Sequence, residues 1–222
     1  MTKAWIRRKL KTGLLRLPGG AIFVDLLNLY RLREQFSSTG WLASRVSGES
    51  RDGWGKPIPW FTYPAVAFLE PRLQKSFRVY EYGSGNSTKW FAYRVASVVS
   101  CEHDPVWYEA NKASMPSNVE YLCRPLGGVH PYAADIERYD QDFDLVVIDG
   151  RHRVACTRHA LRALSEDGVL LFDNADREKY QSAYDLLRVE GFKRLDFHGV
   201  GPIAAREWCT AIFYRSRNVL GI

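Results

Sequence analysis

Acids and glycines at the ends of apolar runs are the residues of this chain best suited to chemistry. The first set is Glu81-Tyr82-Gly83-Ser84-Gly85-Asn86-Ser87-Thr88, between the apolar start of residues 77–82 and Lys89-Trp90-Phe91. Two glycines one residue apart let the backbone bend sharply and come close to a ligand. Asn86, Ser87 and Thr88 are good helix starters whose amides point forward. A strand that turns into a helix in this way makes a cradle for an anion or a nucleotide. Thr88 stands where the third glycine of a G-x-G-x-x-G dinucleotide fingerprint would be. The carboxylate of Glu81 ahead of the turn would repel a pyrophosphate and suits a cationic or amine-bearing ligand.

The next acid is Glu102, which closes the valine-rich run 95–101 and precedes His103-Asp104. An acid at the end of a second parallel strand is placed to hold ribose hydroxyls in a doubly wound fold. Glu81-x-Gly83-x-Gly85 followed by Glu102 resembles the first two motifs of the class I S-adenosylmethionine-dependent methyltransferases. The resemblance implies that the glycine turn wraps the methionine part of the cofactor and that Glu102 binds its ribose. It implies S-adenosylmethionine contacts at Glu81, Gly83, Ser84, Gly85, Ser87, Thr88, Glu102 and Asp149.

Asp149 and Asp173-Asn174 close the apolar runs 143–148 and 168–172. Together they resemble the metal triad of the catechol and caffeoyl-coenzyme A O-methyltransferases, and such hard oxygen ligands suit Mg2+ or another divalent cation. The chain departs from that pattern because Gly150-Arg151-His152-Arg153 replaces the family's Asp-Ala-Asp-Lys-type continuation, and Arg151 would compete with the cation. Two further readings stay open. Asp149 and His152 can serve as bases beside an acceptor hydroxyl without metal, or Asp149 and Asn174 only cap the helices that follow. The expected reaction is O-methylation of a small-molecule or glycan hydroxyl; the alternative is a non-catalytic cofactor-binding or membrane-peripheral module.

Positioning these residues takes a regular series of elements. Strands are expected from 77 up to the glycine turn and at 95–101, 119–123, 143–150 and 168–174, with helices at 65–73, from 86, and at 105–113, 154–164 and 180–190, and a loop at 127–132. Strands at 193–197 and 209–215 then form an antiparallel pair. The expected fold is α/β, a doubly wound Rossmann-like seven-stranded methyltransferase sheet with a terminal antiparallel hairpin. A nicotinamide domain would add another parallel unit there. The resemblance covers residues 58–216, and the expected division is a basic helical N-terminal extension and linker at 1–56 and the methyltransferase domain at 57–222.

At 222 residues the chain can hold one domain with a sizeable core and a modest appendage. Its net charge of +6 is concentrated in residues 1–56, where eleven Lys/Arg face four Asp/Glu. The remainder is close to neutral, which argues against a nucleic-acid substrate. Residues 5–17 have an apolar face (Ile6, Leu10, Leu14, Leu17) with Lys and Arg around it. Residues 1–18 are therefore expected to lie on an anionic membrane, to dock on a partner or to pack on the chain's own domain. A second helix is expected at 21–36 and a loop at 37–56. Trp54, Trp60 and Tyr63 either line an acceptor pocket or lock their proline-rich segment onto the domain. No apolar run is long enough to span a membrane, no signal-peptide core is visible, and the four cysteines (Cys101, Cys123, Cys156, Cys209) show no paired spacing. A cytoplasmic protein with reduced thiols is expected.

Overall fold

The computed structural model describes residues 5, 12, 19–127, 131–140 and 142–222. Its helices are α1 (Gly20–Ser38), α2 (Trp41–Ser47), α3 (Tyr63–Leu69), α4 (Asn86–Ala92), α5 (Pro105–Lys112), α6 (Arg153–Ala163) and α7 (Gln181–Val189). Its strands are β1 (Arg78–Tyr82), β2 (Ser97–Glu102), β3 (Val119–Cys123), β4 (Phe143–Ile148), β5 (Leu164–Phe172), β6 (Lys193–Gly199) and β7 (Trp208–Tyr214). They form one sheet in the order β3-β2-β1-β4-β5-β7-β6. The first five strands run parallel, and β7 lies antiparallel between β5 and β6. This is the methyltransferase-type sheet, with the terminal hairpin where the sequence order placed it.

Burial on both faces explains why the central strands are apolar throughout. Along β4, Leu145 and Val147 point to one face with Val79, Leu171 and Ile212, whereas Val146 and Ile148 point to the other with Tyr80, Leu170 and Phe172. The first face is covered by residues of α3 and α4, among them Ala65, Leu69, Trp90 and Phe91. The second is covered by Cys156 and Ala160 of α6 and Ala183 and Leu187 of α7. Such a sheet directs every parallel strand's carboxyl end to one edge, and that is where the strand-ending acids gather.

The fifth strand starts at Leu164 rather than 168, because Leu164 pairs with Phe143 before a register shift; the polar residues Ser165, Glu166 and Asp167 hide this start. Helix α2 lies inside the stretch expected to be a loop. Distant partners hold it: Trp41 Nε1 donates to the Ala204 carbonyl (2.9 Å), and the Ser44 hydroxyl donates to the Arg51 carbonyl (2.9 Å). The N-terminal helix expected at 5–17 lies outside the described residues except for Trp5 and Thr12, as do residues 128–130 of the loop at 127–132.

The two glycines of the turn have different reasons to be glycine. Gly83 has φ 90°, and a Cβ there would come within 2.9 Å of the Gly150 backbone, because the β1 and β4 turns touch back to back. Gly85 has φ 170°, ordinary extended backbone, and a Cβ there would meet nothing within 4 Å. Gly83→Ala should therefore cost about 2–4 kcal/mol, through the positive φ and the backbone clash. Gly85→Ala should stay within about 0.5 kcal/mol of wild type. Calorimetric melting of both variants checks this; equal losses would contradict the assignment.

Candidate functional site

Three cavities of about 770, 400 and 400 Å3 open along the carboxyl edge of the sheet, and Asp149 lines all of them. The largest runs from Ser84 and Glu102 past Trp107 to Gly150, His152 and Tyr180. The second is walled by Trp60, Asp173, Asn174, Arg206 and Trp208. The third passes under residues 48–51 to Gly85, Asn86 and Ser87. Asp149 therefore stands at the junction of a space beside the glycine turn and a space beside β5.

Glu102 is nearly buried and well held. Its Oε2 accepts from the Ser84 amide (3.0 Å) and hydroxyl (2.8 Å), and its Oε1 accepts from the amides of His103 (2.8 Å) and Asp104 (2.9 Å). This fixes the carboxylate against the turn at the wall of the largest cavity, where a ribose could meet it. At Gly85 a Cβ would meet nothing within 4 Å, so the turn lies open to the third cavity there. Of the residues expected to contact a cofactor, Gly83, Ser84, Gly85, Ser87, Glu102 and Asp149 line these cavities.

Glu81 and Thr88 do not line any of the three cavities. Glu81 is fully buried below the turn, where its Oε2 accepts hydrogen bonds from the Thr88 and Ser100 hydroxyls (Ser100 at 2.9 Å) and its Oε1 has no partner among the described residues. Thr88 Oγ1 also accepts from the Gly85 amide (3.1 Å). These two residues pin the turn to β1 and β2 from beneath, because one side chain per residue cannot both anchor the backbone and reach past it. Burial raises the Glu81 carboxyl to about 7, against the stabilising hydrogen bonds of its hydroxyl donors.

The expected metal triad does not fit a cation. Arg153, one helical turn beyond Asp149, is buried among the strand ends. Its Nη2 donates to the Asp149 carbonyl (2.6 Å) and to Asp149 Oδ1 (2.9 Å), its Nε to the Gly150 carbonyl (3.0 Å), and its Nη1 to the Asp173 carbonyl. Asp173 Oδ1 in turn accepts from Trp208 Nε1 (2.9 Å) and Thr210 Oγ1 (2.6 Å). A guanidinium therefore already pairs with the Asp149 carboxylate that a divalent ion would need, and the competing arginine is Arg153 rather than Arg151. Among the described residues the grouping of three possible metal ligands is Asp196, His198 and Cys209, on β6 and β7 outside these cavities. Burial pushes the Asp149 and Asp173 carboxyls upward; Arg153 lowers both, and Asp173 adds to the rise at Asp149.

His152 and Asn174 follow the ends of β4 and β5, and both have φ 50°. Non-glycine residues there carry strain that a site can exploit. His152 faces the largest cavity and Asn174 the second. Of the aromatic residues proposed for an acceptor pocket, Trp60 lines two cavities, Tyr63 packs against the core and Trp54 is 84% exposed. Sequence reasoning missed Trp107, Trp208 and Arg177 as wall residues, and no local pattern marks them.

Because burial raises Glu81 above its unfolded value of about 4.5, its protonated form favours folding. That contribution is full below about pH 4.5 and is lost as pH rises through about 7. Between pH 5 and 8 the wild type should lose roughly 2–3 kcal/mol relative to Glu81→Gln, at about 1.4 kcal/mol per pKa unit. Chemical denaturation of both proteins across that range measures it, and parallel pH profiles would contradict it.

Residues 80–175 match the family model of a methyltransferase domain. No curated protein sequence matches the chain. Among solved structures, it is similar to the precorrin-6y C5,15-methyltransferase of Geobacter metallireducens, with TM-score 0.54 and 14% identity over 69% of this chain and 87% of that one. A methyltransferase from Geobacter sulfurreducens gives 0.51 and 17% identity over 72% and 81%. The spermidine synthase of Thermotoga maritima gives 0.52 and 14% identity over 67% of this chain but only 56% of its own length. At these identities the structural likeness establishes the fold alone. Residues 80–175 are thus similar to a methyltransferase domain, and the sheet order around the acid-lined glycine turn is that of the methyltransferase-like fold.

Proposed function

We propose that this chain methylates a hydroxyl oxygen of a small-molecule or glycan acceptor, with Asp149 and His152 handling the proton and no divalent cation taking part. The observation that carries this reading is the position of Asp149 at the junction of the three cavities. The bound cofactor supplies an electrophilic methyl group on a sulfonium. Gly83, Ser84, Gly85 and Glu102 would hold it, and the Trp60 and Trp208 rings would wall an acceptor in the adjoining space. Alignment supplies much of the rate of such a displacement, and a base is needed only to take the hydroxyl proton. Arg153 orients Asp149 for that task while denying the position to a metal.

A labelled-cofactor turnover screen over sugars and phenols finds the acceptor and then tests the roles. Asp149→Asn should lower kcat by about 100-fold or more, His152→Ala by about tenfold, and EDTA should leave the rate unchanged. Since burial raises Asp149, the base form is lost as pH falls, so kcat should fall with falling pH. Abolition by EDTA with both variants fully active would overturn the reading. Cofactor binding with no turnover on any acceptor would favour a binding module.

Peripheral attachment to an anionic membrane is a second proposal, favoured by α1. Its Ile22, Phe23, Leu26, Leu29, Tyr30 and Leu32 are all exposed. Residues 1–18 just before it contain six Lys/Arg and no acid, and basic residues near an anionic surface contribute about 1 kcal/mol each. No helix among the described residues is long and apolar enough to cross a membrane, so contact would be interfacial. Deleting residues 1–18 should abolish cosedimentation with phosphatidylglycerol vesicles and leave cofactor affinity unchanged. Unchanged sedimentation, or equal binding to phosphatidylcholine alone, would contradict the proposal.

A further inference from the structure

The largest cavity carries a charge pattern that names the chemical class of its second occupant. Arg151 follows β4, Arg158 lies on α6, and Arg177 and Lys179 follow β5; all four line this cavity. None of the four makes an ion pair among the described residues. Other arginines on the same or neighbouring elements are matched, Arg153 of this same cavity among them: Arg153 with Asp149, Arg162 with Glu137, Arg188 with Asp185 and Arg194 with Asp196. The acids of the cavity do not balance the four. Glu102 and Asp104 stand at the opposite end, held by backbone amides, and Asp149 is neutralised by Arg153.

Four unmatched cations around one opening are unusual in a part of the chain that is otherwise close to neutral. The cofactor would add a sulfonium, so the balance must come from the other occupant. We propose that the acceptor is a small anion, a molecule bearing a phosphate or carboxylate group, with that group seated among Arg151, Arg158, Arg177 and Lys179. Guanidinium groups match both oxyanions with paired hydrogen bonds. Arg177 also lines the second cavity together with Arg206. An anion held there leaves the rest of the acceptor to extend past Asp149 toward Trp60. This inference rests on the reading of these cavities as an acceptor site.

Binding is measured without turnover, so the two readings can fail separately. The full chain, with and without S-adenosylhomocysteine, is titrated calorimetrically with glucose 6-phosphate, glucuronate, inorganic phosphate and glucose. At least one charged probe should bind about tenfold or more tightly than glucose, and rising salt should weaken it. The phosphate and carboxylate probes separate the two sources of charge. Arg151→Gln with Arg177→Gln should weaken the charged probe about tenfold, and Lys179→Gln alone by a smaller factor. Arg188→Gln, on α7 outside the cavity, should change nothing. Retained homocysteine-cofactor binding by the variants shows that they are folded. Charged and neutral sugars binding alike, insensitivity to the cavity variants, or binding of a short oligonucleotide but of no small anion would each overturn the inference. Anion binding without any cofactor binding would instead overturn the proposed function and leave the anion site standing.

Discussion

The carboxyl ends of β4 and β5 meet around one buried guanidinium, and the site depends on it. Parallel strands that end side by side leave carbonyl oxygens without ladder partners, and here Asp149 and Asp173 add two carboxyl groups within the same small volume. Arg153 answers three carbonyls and one carboxylate at once. A charge is expensive to bury unless it is fully paired, and removing one partner of such a pair exposes the cost of the other. The first turn of a helix is an unfavourable place for a cation, so the hydrogen bonds to the strand ends must outweigh that term. One side chain thereby ties the ends of two strands together and pairs with the Asp149 carboxylate that a divalent ion would need.

The frame around this point is shared between the parallel body and the terminal hairpin. Trp208 and Thr210 of β7 hold the Asp173 carboxylate, and Thr210 Oγ1 accepts from the Thr62 amide just before α3. The antiparallel strand therefore carries site geometry as well as sheet pairing. On the other side, Glu81 secures the glycine turn from below through Thr88 and Ser100, leaving the upper surface of the turn to Ser84 and Glu102. The cavities open between these two supports.

Most of the fold was legible because β2, β4 and β5 are largely buried and close on an acid, Glu102, Asp149 and Asp173, so each appears in the sequence as an apolar run with a polar stop. The same stops put Glu102 and Asp149 at the strand ends, where both line the largest cavity. What stayed hidden depends on long-range geometry. Arg151 and Arg153 are indistinguishable in sequence, but the second is four residues from Asp149 on the first turn of α6 and reaches the strand ends, while the first is exposed at the cavity. Trp208 meets Asp173 across 35 positions. Helix α2 is held by contacts to Arg51 and Ala204 rather than by its own periodicity. Glu81 was recognised as a motif residue, but only burial reveals that it supports the turn and does not face the ligand space.

The central claim is that this edge of the sheet binds S-adenosylmethionine without help from a metal. Isothermal titration of the EDTA-treated chain with S-adenosylmethionine, and in parallel with NAD, tests it most directly. Saturable binding of S-adenosylmethionine at one site, with no heat from NAD, is the predicted result. Tight NAD binding with no response to S-adenosylmethionine, or S-adenosylmethionine binding that returns only when a divalent cation is restored, would contradict it.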